Sequence, residues 1–311
     1  MALAKRLVLA AVSLSALGLA LACVLPWIPI WPFVLFAHFR VQYVELGVLI
    51  VICTALLRLR GYFDIAMIAT LLHALSITAD LTAEARTGPR DGKALRVLLL
   101  NVHTESTGFA RVRQLIADEK PDLIGLVEVD QHWLEELAPA LAGYPGRIEE
   151  PRPDNFGIAL YARGDVQGSA MELGSSLPTV VANVTVDQTR LSVIVTHPLP
   201  PMNGAAVDQQ RAQFDAIADQ TRSATPPVLV MGDFNTTPWS RLFQRLLGRS
   251  GLCDSRAGFG VQASFPAASA LLRIPIDHVL LSCTVGVRDR RIGPDVGSDH
   301  LPVIVDLVFP R

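Results

Sequence analysis

Apolar residues are distributed along this chain in two ways. Up to about residue 80 they form long runs, and beyond it short bursts that stop on a polar residue. The first long run, Leu7 to Leu25, carries no charge and follows Lys5-Arg6. A second covers Val41 to Leu57 with Glu45 near its start, and a third Tyr62 to Ala79 with Asp64 near its start and His73 inside. Each approaches or reaches the roughly 17–25 apolar residues of a transmembrane helix. The reading is about three spans within residues 1–80. A cleaved secretory signal is the alternative for the first, since Ala20-Leu21-Ala22 offers a small-residue cleavage site; the two runs that follow favour spans. Lys5 and Arg6 precede the first span, and Arg58 and Arg60 separate the second from the third. Basic flanks stay in the cytoplasm. The connection from Trp27 to Arg40 and everything after the third span are therefore expected outside it. That makes an integral inner or plasma membrane protein with an extracytoplasmic, periplasmic-side domain.

Residues 81–93 are polar, with Gly88-Pro89 and Asp91-Gly92 as breakers, and read as a linker. Residues 94–311 suit one α/β domain. Short runs rich in Val, Ile and Leu predict strands at Arg96–Asn101, Asp122–Glu128, Gly157–Ala162, Thr179–Val186, Arg190–Thr196, Val228–Gly232, Ile276–Ser282 and Pro302–Val308. Helices are predicted at Thr107–Glu119, Gln131–Ala142, Ala205–Arg222 and Pro238–Leu247; the third places Val207, Phe214, Ile217 and Ala218 on one face. A hairpin signal at Asp187-Gln188-Thr189, mixed with strand–helix units, implies a mixed sheet or two sheets rather than a purely parallel one.

Composition adds three points. The chain is 50% hydrophobic with a mean hydropathy of +0.38, too apolar for a soluble domain alone. A net charge of -2 and a pI near 6.4 do not mark a protein that tracks long nucleic acid through its phosphates, although a local basic groove is compatible with them. Of four cysteines, Cys23 and Cys53 lie in the apolar runs and Cys253 and Cys283 in the domain. The latter pair has no zinc spacing. An exported domain allows a disulfide, but the reading is two separate buried thiols.

The polar residues that end the strands carry the candidate chemistry. Glu128, Asp233 and Asp299 are carboxylates of the kind that suit a hard cation such as magnesium or manganese. Asn101 and Asn235 can orient phosphate oxygens, His197 and His300 can move protons, and Asp277 can fix a histidine tautomer. Together they describe metal-assisted phosphoester hydrolysis. Each has a plainer role when taken singly. Asp233 and Asn235 suit a turn, Glu128 an exposed strand end, His197 a structural position before Pro198, and Asp299-His300 a loop. His103, His132 and His278 are assigned to structure, Arg211 and Arg241 to solvated helix faces. The ordered set carries the argument.

That set resembles the endonuclease/exonuclease/phosphatase superfamily: Asn101, Glu128, His197, Gly232-Asp233-Phe234-Asn235, Asp277, then Ser298-Asp299-His300, over about Leu95 to Leu307. The resemblance implies a four-layer α/β (α+β) sandwich of two mixed sheets flanked by helices, here preceded by the transmembrane region. It implies Glu128 as the main magnesium ligand (manganese being an alternative), with Asn101 beside it and Asp299 completing the site. Asp233 and Asn235 would sit at the attacking water and the scissile phosphate, His300 would act as acid or base oriented by Asp277, and His197 would lie across the phosphate. His103 stands where several members carry a second polar contact, and His278 replaces a common tyrosine. Gly-Asp-Phe-Asn-Thr-Thr-Pro lacks the Asn-Tyr-Arg continuation of phosphoinositide phosphatases. A nuclease-like or other phosphodiester substrate follows. Nucleic acid is the first expectation; phospholipid is the second, because the linker holds the domain close to lipid. No protein partner is inferred. The presence of Glu128, Asp233, Asn235, Asp299 and His300 argues against a silent scaffold.

Overall fold

In the computed structural model, which describes residues 2–88 and 92–310, the three apolar runs are helices: α1 (Ala2–Val24), α2 (Arg40–Leu56) and α3 (Arg60–Thr82). Pro89 and Asp91 of the expected linker lie outside the described residues. Ala16, Leu19, Ile50, Ala66 and Ala69 form the small core between these helices. Gly47 brings α2 close to α3, since a Cβ there would collide with the Thr70 side chain. The outward faces keep their leucines exposed, among them Leu3, Leu14, Leu49, Leu56 and Leu75. The segments Leu3–Trp27 and Arg60–Thr78 are long and apolar enough to cross a membrane. The middle helix has 17 residues, about 25 Å at 1.5 Å per residue. Two short 3-10 turns, Leu25–Trp27 and Phe33–Ala37, make the α1–α2 connection.

The remaining elements are β1 (Lys93–Asn101), α4 (Phe109–Glu119), β2 (Leu123–Val127), α5 (Gln131–Leu141), β3 (Gly146–Glu150), β4 (Ile158–Ala162), β5 (Asp165–Glu172), β6 (Pro178–Val186), β7 (Thr189–Thr196), α6 (Gly204–Ser223), β8 (Val228–Asp233), α7 (Arg241–Ser250), β9 (Leu252–Asp254), β10 (Asp277–Ser282), β11 (Gly286–Ile292) and β12 (Val303–Phe309). They build two six-stranded sheets, ordered β11-β12-β1-β2-β4-β3 and β5-β6-β7-β8-β10-β9. Among the described residues, only β1–β2 and β7–β8 are parallel pairs.

Both faces of the central strands are covered, which explains why those strands read as continuous apolar runs. In β1, Val97 and Leu99 point to the inter-sheet core with Val195 and Met231 of the other sheet. Their neighbours Leu98 and Leu100 face outward against Val112, Leu115 and Trp133 of α4 and α5. On the far side, Phe214, Ile217, Phe243 and Leu246 of α6 and α7 cover Ile194 and Val230. Three helix starts are capped by side chains: Asp130 accepts from Trp133 N, Asn203 from Ala206 N and Ser240 from Phe243 N. The result is the four-layer sandwich of two mixed sheets.

Two expectations are corrected. Four strands were not anticipated, β3, β5, β9 and β11, and these are the four sheet edges. Cys253 and Cys283 are not separate thiols; they form a disulfide. The edge strand β9 pairs with β10 so that Cys253 lies opposite Leu281, two residues short of Cys283, and the two Cα atoms are 5.2 Å apart.

Candidate active site

The polar residues that stop the strands converge on one edge of the sandwich. Asn101 ends β1, Glu128 follows β2, His197 follows β7 and Asp233 ends β8. Asp277 opens β10, which runs antiparallel to β8, so Asp277 and Asp233 are register partners at that same edge. His300 precedes β12, the antiparallel neighbour of β1. The backbone is shaped for this: Glu128 and Asn235 adopt φ values of 60° and 50°. Asn tolerates that region; for Glu it costs about 1–3 kcal/mol. Gly232 has no substitute, because a Cβ there would run into the Thr196 carbonyl oxygen of β7.

Asp233 is the hub. Its Oδ1 accepts a hydrogen bond from Asn235 N at 2.8 Å, and its Oδ2 lies 3.5 Å from both His197 Nε2 and His300 Nε2. Asn101 Nδ2 donates to Glu128 Oε1 at 2.7 Å and to Asp233 Oδ2 at 3.1 Å, while its Oδ1 accepts from His103 N. In this arrangement Asn101 orients two carboxylates, and its oxygen faces a metal only if the amide turns. Asn235 Nδ2 reaches His197 Nε2 at 3.2 Å and donates to the Pro198 carbonyl. Asp277 Oδ2 lies 2.8 Å from His300 Nδ1, which fixes that ring.

Two candidate metal clusters emerge, Glu128–His197–Asp233 and Asp233–Asp277–His300. Glu128 is the more open member, its side chain 15% exposed against 2% for Asp233. Asp299 stands apart from both clusters: its side chain is 44% exposed and lies 3.7 Å from His103 Nδ1.

Charges in this buried group depend on one another. Burial alone would raise the Asp233 carboxyl, but His300 and His197 bring it down to about 2. Burial would lower His300; Asp277 and Asp233 outweigh it and hold the imidazolium up to about 10. The folded value of His300 is therefore above its ordinary 6.5. Its contribution to stability is complete below 6.5 and is lost as pH rises through about 10. Asp233 contributes fully above 3.8 and loses that contribution as pH falls through about 2. Thermal stability of the full chain should thus decline between pH 6.5 and 10, and His300→Gln should flatten that decline. Equal slopes in the two proteins would mean that His300 carries no raised pKa.

Several contributors carried no signal in the sequence. Ser264 Oγ donates to Asp277 Oδ2 at 2.5 Å, and the Phe265 ring packs against His300 with centroids 4.6 Å apart. Phe156 packs in the same manner on His197 at 5.2 Å. Arg290, fully enclosed, donates to the Asp277 carbonyl oxygen; burial lowers its pKa to about 10, which leaves it charged at neutral pH. Gln210 ties α6 to the site by donating to the carbonyls of Leu199 and Phe234. His278, assigned to structure, is buried against Phe234 and Phe243 and contacts the Thr236 carbonyl.

Residues 98–300 match the model of the Endonuclease/Exonuclease/phosphatase family. Among solved structures, an endonuclease/exonuclease/phosphatase from Beutenbergia cavernae is 23% identical, with 70% of this chain and 72% of that chain covered and a TM-score of 0.54. The human Nocturnin catalytic domain with bound sulfate is 20% identical (70% and 95% covered, TM-score 0.56). TDP2 from D. rerio, in complex with a single-strand DNA product, is 16% identical (69% and 99% covered, TM-score 0.57). At these identities the likeness is one of fold. No curated protein matches the chain in sequence.

Proposed function

The chain belongs to the endonuclease/exonuclease/phosphatase family, and on that premise we propose that it is a membrane-anchored, divalent-metal-dependent phosphodiester hydrolase. The observation that carries the reading is Asp233, an ionised carboxylate held between two histidines at the edge where Glu128 and Asn101 also converge. Asp233 orients and deprotonates the attacking water. His300, kept protonated by Asp277, donates to the phosphoryl or leaving oxygen, with His197 and Asn235 holding the opposite side of the phosphate.

Oxygen donors dominate the open part of the cluster, which fits magnesium or manganese better than a softer metal. Glu128 would be the principal ligand; Asp299 at the rim and a turned Asn101 amide would be accessory ones. A cation bound there would neutralise charge developing on the phosphoryl oxygens.

Anchoring is supported by the exposed leucines of α1 to α3, a surface that water does not favour. On this reading a helical region over 1–80 and a linker over 81–93 precede a hydrolase domain over 94–311. The α1–α2 connection packs on the domain through Trp31 and Pro201, and through His38 and Thr237. This contact keeps both on one side of the helices, which is compatible with an extracytoplasmic domain when Lys5, Arg6, Arg58 and Arg60 face the cytoplasm. Nucleic acid enters as a candidate substrate through the DNA product held by the D. rerio protein.

The test is turnover of bis(p-nitrophenyl) phosphate by the full chain in detergent, with magnesium, manganese or chelator. Hydrolysis should need the cation, and Glu128→Gln should reduce it by about 10²-fold or more. Turnover that survives chelation and this substitution would remove the metal-dependent reading.

A further inference from the structure

Three loops around the cleft are fastened to the helical region. The loop after His197 is held by Trp31, whose Nε1 donates to the Pro201 carbonyl at 3.1 Å. The loop after Asn235 is held twice: Thr237 N donates to His38 Nδ1 at 3.3 Å, and Trp239 Nε1 donates to Asp80 Oδ2 at 2.7 Å. The third loop runs from Phe265, packed on His300, to Ile274, its bridge partner. Gln42 Nε2 donates to two carbonyls in it, Leu271 and Arg273, each at 3.1 Å. Gln42 lies in the first turn of α2 and Asp80 in the last turn of α3. The rim of the cleft therefore sits at the level where the helices end.

At that level large apolar side chains stand free on both flanks of the cleft. Leu271 and Leu272 are 64% and 56% exposed, Met202 is 71% exposed, and Trp27 and Ile30 of the α1–α2 connection are equally open. A lone exposed leucine needs no explanation. Here the apolar residues occupy loops hydrogen-bonded to the helical region where α2 begins and α3 ends, and Trp at such a level is the usual anchor of a membrane–water interface. The nearby cations are engaged: Arg211 pairs with Asp208, and Arg273 donates to the carbonyls of Pro266 and Ala267. These features suit an interface with lipid, and the arginines named here are not free to track the phosphates of a polynucleotide.

We propose that the substrate is a phosphodiester resident in the bilayer, the headgroup of a glycerophospholipid, met at the interface into which Leu271 and Leu272 insert. The proposal rests on the hydrolase reading above. The water oxygen bonds to phosphorus and gives up its proton, the P–O bond to one alcohol breaks, and that alkoxide takes a proton. The products are a phosphomonoester and an alcohol, one of which stays in the membrane.

The experiment uses the full chain reconstituted in vesicles of phosphatidylethanolamine and phosphatidylglycerol, with magnesium or manganese. Three substrates are compared: the vesicle lipids, bis(p-nitrophenyl) phosphate and a single-stranded DNA oligonucleotide. Wild type should hydrolyse lipid. The double variant Leu271→Ser/Leu272→Ser should lose at least about tenfold of that rate and keep its rate on the soluble diester within about twofold. Hydrolysis of the soluble diester or DNA with no hydrolysis of the vesicle lipids overturns the proposal and leaves the hydrolase intact. Equal losses on all substrates in the double variant also overturn it. No turnover of any substrate, the soluble diester included, overturns the hydrolase reading itself.

Discussion

Asp233→Asn should lower kcat on a soluble phosphodiester by about 10²–10⁴-fold, the range for losing a placed proton-transfer group. The substitution keeps size and the acceptor for Asn235 N, but removes the charge that faces His197 and His300 at 3.5 Å each. KM should move far less, because the interaction lost is one made in the transition state. His300 would also lose one of the two carboxylates that hold its pKa up. The basic limb of the pH–rate profile should therefore shift to lower pH in whatever activity remains. Steady-state kinetics across pH measure both effects. A loss below tenfold, or an unmoved basic limb, would mean that Asp233 is not the hub.

Arg256→Leu should cost about 3–5 kcal/mol of stability, the usual result of stripping one partner from a buried ion pair. Arg256 is 3% exposed and joins two carboxylates, Asp80 of α3 at 2.8 Å and Asp254 of β9 at 3.2 Å. Burial would raise the Asp254 carboxyl, but Arg256 holds it below its ordinary value. A depressed carboxylate contributes stability above the ordinary 3.8 and loses it as pH falls through its folded value. In Arg256→Leu that carboxylate is stranded, so the deficit against wild type should shrink below about pH 4, as Asp254 takes a proton. Thermal unfolding of the full chain in detergent at pH 7 and pH 4 measures it. An unchanged midpoint at pH 7 would show that the helices and the domain are not coupled through this arginine.

Much of the domain was legible because the central strands are buried on both faces, so apolar runs such as Val97–Leu100 and Leu123–Val127 stand out unbroken. The edge strands escaped for the opposite reason. Every residue of β5 is open to water to some degree, as are four of the five in β3, so neither has an apolar run to betray it. What makes them strands is a partner ladder that a linear reading cannot see. The disulfide was lost with β9, since only that edge pairing brings Cys253 to Cys283. In the site, the strand-terminal residues were visible as polar stops. Ser264, Phe265 and Arg290 were not: they reach Asp277 and His300 from a loop and from an edge strand of the other sheet, at separations that no local pattern encodes. Asp299 was visible as a carboxylate within Ser298-Asp299-His300. It adjoins His300 in the chain, yet its side chain turns to the rim.

The Cys253–Cys283 link joins residues 30 positions apart, and between them lie Ser264, Phe265 and Asp277. Closing a loop of that length removes about 3–4 kcal/mol of chain entropy from the denatured ensemble. The positioning of His300 is thereby tied to the thiol chemistry of a strand edge that the reaction never touches. Protein prepared with a reductant and protein prepared without one are different molecules: the first must order the Ser264–Asp277 segment against a larger entropy than the second.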